Sequence, residues 1–79
     1  MATVFYEKNF RFFFYSKEET RKNIHVASTM GELKVWLEPE IEIANKIHLS
    51  NEETNAVLKI VKARKKEIDS AWDKHFGKN

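Results

Sequence analysis

Hydrophobic and polar positions alternate along the first half of the chain and change to a helical period in the second. Phe10-Arg11-Phe12-Phe13-Phe14-Tyr15-Ser16 is a strand with five aromatic residues in a window of seven. Successive side chains on a strand point to opposite faces. Phe10, Phe12 and Phe14 therefore share one face, and Arg11, Phe13 and Tyr15 the other. Lys17 to Lys22 is uniformly polar and reads as a solvated loop. A second strand follows over 22–28. Ser28-Thr29-Met30-Gly31 reads as a turn, with Gly31 expected to supply a positive φ. A third strand runs over 32–38 and is stopped by Pro39, which has no backbone donor. Ile41 to Ala44 alternates as a short edge strand, with a period too brief to separate it from a helical turn.

The second half opens on a start signal. In Ser50-Asn51-Glu52-Glu53 the serine hydroxyl can accept from the amide of Glu53, and the Glu53 carboxylate can accept from the amide of Ser50. From there the period is 3.6. Val57, Ile60, Val61, Ile68, Ala71 and Trp72 form one apolar stripe, interrupted only by Arg64. One helix over about 51–76 is predicted, ended by Gly77. At ~1.5 Å per residue it would outrun a four-stranded sheet.

The predicted fold class is α+β: a small antiparallel sheet of three to four strands with one long C-terminal helix on one face, as a single domain over 1–79. Ile24, Val26, Leu33, Val35 and Leu37 join Phe10, Phe12 and Phe14 on the face that meets the helix. The opposite face gathers Arg11, Phe13, Tyr15, Asn23, His25, Ala27, Lys34, Trp36 and Glu38. Left bare, Phe13 and Trp36 would form the kind of apolar patch that marks an interaction site. Three readings stay open for this face. The N-terminal segment with Val4, Phe5 and Tyr6, or a second protomer, covers it; a protein partner docks on it; or bases stack on Tyr15, Phe13 and Trp36 while Arg11 and Lys34 touch phosphates.

Composition narrows the chemistry. The 79 residues hold no cysteine, which removes disulfides, zinc–thiolate sites and thiol nucleophiles and fits a reducing, cytoplasmic setting. The 14 basic and 12 acidic residues give a mixed surface, weak support for a nucleic-acid partner. No apolar run approaches a membrane span, and Met1–Lys8 has no basic n-region followed by an apolar one. His25 is the best-placed titratable group. Beside Tyr15 and Arg11 it could act as a general base with a cationic oxyanion stabiliser, the minimal set for metal-independent RNA cleavage. His48 falls in a loop, and His75 in the last helical turn, where the helix dipole favours its charged form. His25, Glu38 and His48 lack a tight ligand spacing, so no metal is expected, and no cofactor motif appears. Lys59, Lys62 and Lys66 fall on one side of the helix, followed closely by Glu67, Asp69 and Asp73.

Arg11-Phe12-Phe13-Phe14-Tyr15-Ser16, Ile24-His25-Val26, Val35-Trp36-Leu37-Glu38-Pro39, the Leu49-Ser50 helix entry and Trp72-Asp73-Lys74-His75-Phe76 occur in this order. The pattern resembles a family of small bacterial proteins carrying domain of unknown function number four-one-six-zero. Members of that family are typically encoded beside a second small unknown domain, and the resemblance implies partnership in a toxin–antitoxin pair more than a defined chemistry. The family often has Pro-Pro-His before its second histidine, where Lys22-Asn23-Ile24 stands here. Only that second histidine, His25, is kept, which removes the pair that metal binding would need. The reading is a cytoplasmic protein-interaction domain, in a hetero-complex or homo-oligomer, that binds through Arg11, Phe13, Tyr15, His25, Lys34 and Trp36. The alternative is an RNA-binding protein or ribonuclease that uses His25, Arg11 and Tyr15.

Overall fold

The computed structural model describes residues 1–17 and 20–77. Its elements are β1 (Ala2–Glu7), β2 (Phe10–Phe14), β3 (Asn23–Ala27), β4 (Glu32–Trp36), β5 (Glu42–Ile47), α1 (Asn51–Ala63) and α2 (Lys65–Phe76). The strands form one antiparallel sheet in the order β1-β2-β3-β4-β5, each beside its sequence neighbour. This is the α+β class with more elements than the alternation predicts: five strands and two helices in place of three or four strands and one helix. Residues 18 and 19 of the predicted loop lie outside the described residues.

The additional strand is β1. Glu7 pairs with Phe10 across a two-residue turn in which Lys8 and Asn9 have φ of 51° and 68°. Two successive positive φ values give the hairpin a twist that matches the strands it joins. A bulge between Thr3 and Phe5 turns the strand locally. Val4 and Phe5 pack against the core, while Thr3 and Tyr6 stand in register with Phe13 and Arg11. The N-terminal segment thus extends the sheet and does not lie across its second face, which corrects the part of the first reading that gave it that place. At the other edge β5 reaches Ile47, beyond the predicted Ala44. Asn45 opposes Lys34 and Ile43 opposes Val35, which leaves Ala44 between them as a second bulge.

Gly31 is also corrected. Its φ is not positive, and the turn is instead held by the Ser28 hydroxyl, which accepts from the amides of Met30 and Gly31 at 3.1 and 3.3 Å. The glycine is needed for space: a Cβ there would sit 2.2 Å from the Ile47 carbonyl oxygen and 2.6 Å from that of His48.

The core forms as the two periodicities require. Phe10, Phe12, Phe14, Ile24, Val26, Leu33, Val35 and Leu37 are buried against Leu49, Val57, Ile60, Val61, Ile68 and Trp72. Burial of this kind contributes about 1.5–3 kcal/mol per large side chain. Ser50 caps α1 reciprocally: the Glu53 amide donates to its hydroxyl at 3.0 Å, and the Ser50 amide donates to the Glu53 carboxylate at 2.9 Å.

The predicted single helix is divided at Arg64, whose φ of −110° and ψ of 23° leave the helical region. No proline or glycine lies near the break. The Arg64 side chain is drawn to the sheet, with its guanidinium carbon 3.4 Å from the centroid of the Phe5 ring. It donates to Glu7 on β1 at 2.9 Å and to both oxygens of Glu67 at 2.8 and 2.9 Å. The hydrogen bonds and charge of Arg64 hold the Glu67 carboxyl below its ordinary pKa, and those of Glu67 and Glu7 raise the pKa of Arg64. The charged interruption in the apolar stripe is the tie between helix layer and edge strand.

Candidate functional site

Both helices cover the same face of the sheet, and among the described residues no element packs over the other. Pairing arranges that open face in rows. The central row runs Thr3, Phe13, His25, Lys34, Asn45; beside it runs Tyr6, Arg11, Ala27, Glu32, Ile47; on the other side stand Asn23, Trp36 and Glu42. The six predicted binding residues all belong to this face.

They do not form a bare apolar patch, as the alternation alone suggests. Phe13 is only 4% exposed. The Arg11 guanidinium lies 4.6 Å from its ring centroid, the His25 ring stacks beside it at 5.6 Å, and Tyr15 meets it edge-on at 5.6 Å. Arg11 is itself fixed, its Nε donating to the Thr3 hydroxyl at 2.8 Å. Trp36 is half-buried under two cations, Arg21 and Lys34, each 4.5 Å from its ring centroid. Arg21 also donates to the Glu38 carbonyl oxygen at 2.6 Å and pairs with the Glu42 carboxylate. Cations placed over aromatic rings are attracted by the rings' negative faces and shield them from water. Thr3, Tyr6 and Arg21 are members of this face that sequence reasoning missed. Arg21 sits in the polar loop, and only the return of that loop, with the Leu37 amide bonded to the Lys22 carbonyl, brings it over Trp36.

Of the three candidate catalytic residues, Tyr15 and His25 stand together, their ring centroids 3.9 Å apart. Arg11 lies two residues to the other side of Phe13 along β2, against that ring. The crevice beside Tyr15 and His25, reaching Lys17, Trp72 and Phe76, has a volume of about 20 Å³, room for about one water molecule. Larger depressions of about 500 and 490 Å³ flank the β1 side of the helices and include none of the predicted site residues. No group of three His, Asp or Glu side chains able to hold a metal ion occurs among the described residues, and no described helix is long and apolar enough to cross a membrane. Lys59, Lys62 and Lys66 are exposed on the helices. His75 stacks on Phe14 at the end of α2, ring centroids 6.0 Å apart.

A five-stranded meander with two helices on one face and an ordered aromatic–cationic layer on the other defines a small α+β domain with one open sheet surface. The family described as "Domain of unknown function (DUF4160)" matches residues 9–73, and the chain belongs to that family. The match takes in β2 to β5 and most of both helices, and leaves β1 outside it. No curated protein and no solved structure matches the chain.

Proposed function

We propose that this chain is a protein-interaction domain whose docking surface is the open sheet face around Phe13, His25 and Trp36. The observation that carries this reading is the state of the rings. A stacking platform for bases needs free ring faces, whereas here Phe13 is covered by Arg11 and Trp36 lies under Arg21 and Lys34. A preordered layer of Trp, Tyr and Arg, with rotamers already fixed by mutual contact, instead has the composition that anchors protein interfaces. Ordering these side chains before association lowers the entropy lost on binding.

The same proposal places the domain in the cytoplasm, as one component of a toxin–antitoxin pair. The absence of cysteine supports the compartment, and the family's occurrence beside a second small domain supports the pairing. The test is co-expression with the protein encoded beside its gene, followed by size-exclusion chromatography with light scattering. A stoichiometric complex is expected for the wild type and its loss for Trp36→Ala, with the melting curve of the variant retained. Absence of a complex, or one indifferent to Trp36→Ala, overturns the proposal. So does cleavage of RNA without metal that disappears in His25→Ala.

A further inference from the structure

We infer that Arg11 is a preset anchor for a side-chain carboxylate, so that the partner segment docking on the open face is acidic. The inference rests on the open face being the docking surface, and names the chemistry of what docks.

The chain has three arginines. Arg64 is engaged by Glu7 and Glu67, and Arg21 by Glu42. Arg11 shares the unlayered face with Arg21, yet has no carboxylate within 4.0 Å among the described residues. Two contacts hold it: its guanidinium rests on Phe13, and its Nε is committed to Thr3. Its terminal nitrogens keep their donors, and a planar guanidinium presents these as a pair that matches the two oxygens of a carboxylate. Its register neighbours leave space. Ala27 opposes it on β3, and Tyr6 opposes it on β1 with 70% of its surface exposed. Arg11 is half-buried, so its charge acts through a medium less screening than water.

A discrete carboxylate fits better than a continuous polyanion. Glu32 stands in the same row as Arg11, across Ala27, and Glu42 lies beside Trp36. Glu42 is neutralised by Arg21, but Glu32 would repel a phosphate backbone laid over the strands, while a single acidic side chain meeting Arg11 avoids it. Tyr6 and Tyr15, the exposed aromatic residues near Arg11 and Phe13, supply apolar contact on either side along β2.

The experiment titrates labelled protein, followed by amide chemical shifts, with a soluble alanine–glutamine peptide carrying a single glutamate, its counterpart with glutamine at that position, and a single-stranded RNA. The glutamate peptide is expected to bind about tenfold or more tightly than the glutamine peptide, to shift the amides of Arg11, Phe13 and Ala27, and to weaken with salt. Arg11→Gln should lose that preference. Thr3→Val, an exposed edge change that keeps the charge but frees the guanidinium, should reduce it. Equal binding of the two peptides, tighter binding of RNA, shifts confined to the helices, or self-association that excludes the peptide each overturns the inference. If Trp36→Ala dissolves the natural complex while Arg11→Gln leaves it intact, the anchor is wrong and the docking face stands. If neither variant weakens that complex, both fall.

Discussion

The Arg64 guanidinium carbon lies 3.4 Å from the centroid of the Phe5 ring, joining the break between the helices to the edge strand of the sheet. Glu7 and Glu67 complete the arrangement from both layers. Arg64→Gln should lower the melting temperature by several degrees near neutral pH. The pH dependence has a definite sign. Hydrogen bonds and charge from Arg64 depress the pKa of Glu67. A depressed folded-state pKa contributes stability above the unfolded value, about 4.3 for glutamate, and loses it as pH falls through the folded value. The difference in melting temperature between wild type and Arg64→Gln should therefore be full near neutrality and shrink below about pH 4. A gap that widens on acidification would contradict this.

Ser50→Ala removes the hydroxyl that caps α1 and leaves the Glu53 amide without its acceptor. A loss of about 0.5–2 kcal/mol is expected in urea unfolding, with the denaturant slope unchanged.

Phe12 and Phe13 are adjacent and both buried, but under different layers. Phe12 stacks on Phe5 at 4.5 Å within the helix-covered core, and Phe12→Ala should cost about 3–5 kcal/mol, enough to unfold most of a domain this small. Among the described residues, Phe13 is covered by Arg11, Tyr15 and His25 of its own face. Phe13→Ala should cost less, about 1–3 kcal/mol, and should also weaken partner binding by unseating Arg11. Equal losses of stability would show that both faces are ordinary core.

Alternation was enough to sort the faces of β2, β3 and β4, because each lies inside the sheet and keeps an unbroken two-residue period. It failed at the edges. In β1 the bulge at Val4 and the run Val4-Phe5-Tyr6 conceal the period, and Lys8-Asn9 is a weaker turn signal than an Asn-Gly pair. In β5 the bulge at Ala44 cuts the apparent strand short. The break at Arg64 has no local signal, since the apolar stripe continues through it; it follows from contacts to β1, distant in sequence. For the candidate site, strand period placed the six binding residues on one face. That the Phe13 and Trp36 rings are roofed by cations depends on cross-strand register and on Arg21 arriving from a loop, neither of which alternation encodes.

Gly31→Ala should be costly for a steric reason. The added Cβ would meet backbone carbonyl oxygens of Ile47 and His48, which cannot rotate away as a side chain does. Overpacking of this kind costs about 1–3 kcal/mol. The variant should also loosen the β4–β5 edge, seen as faster amide exchange in Glu42–Ile47. Unchanged exchange there would mean that the turn absorbs the methyl without moving β5.

The two tryptophans provide the most direct test of the central claim. Trp36 is half-buried on the open face under Arg21 and Lys34, whereas Trp72, on α2, is buried in the core against Phe14. With fluorotryptophan incorporated, fluorine NMR should resolve one signal from each. Adding the protein encoded beside the gene should shift or broaden the Trp36 signal and leave that of Trp72 nearly unmoved. A response at Trp72 with Trp36 silent would place the interaction on the helix side and contradict the account.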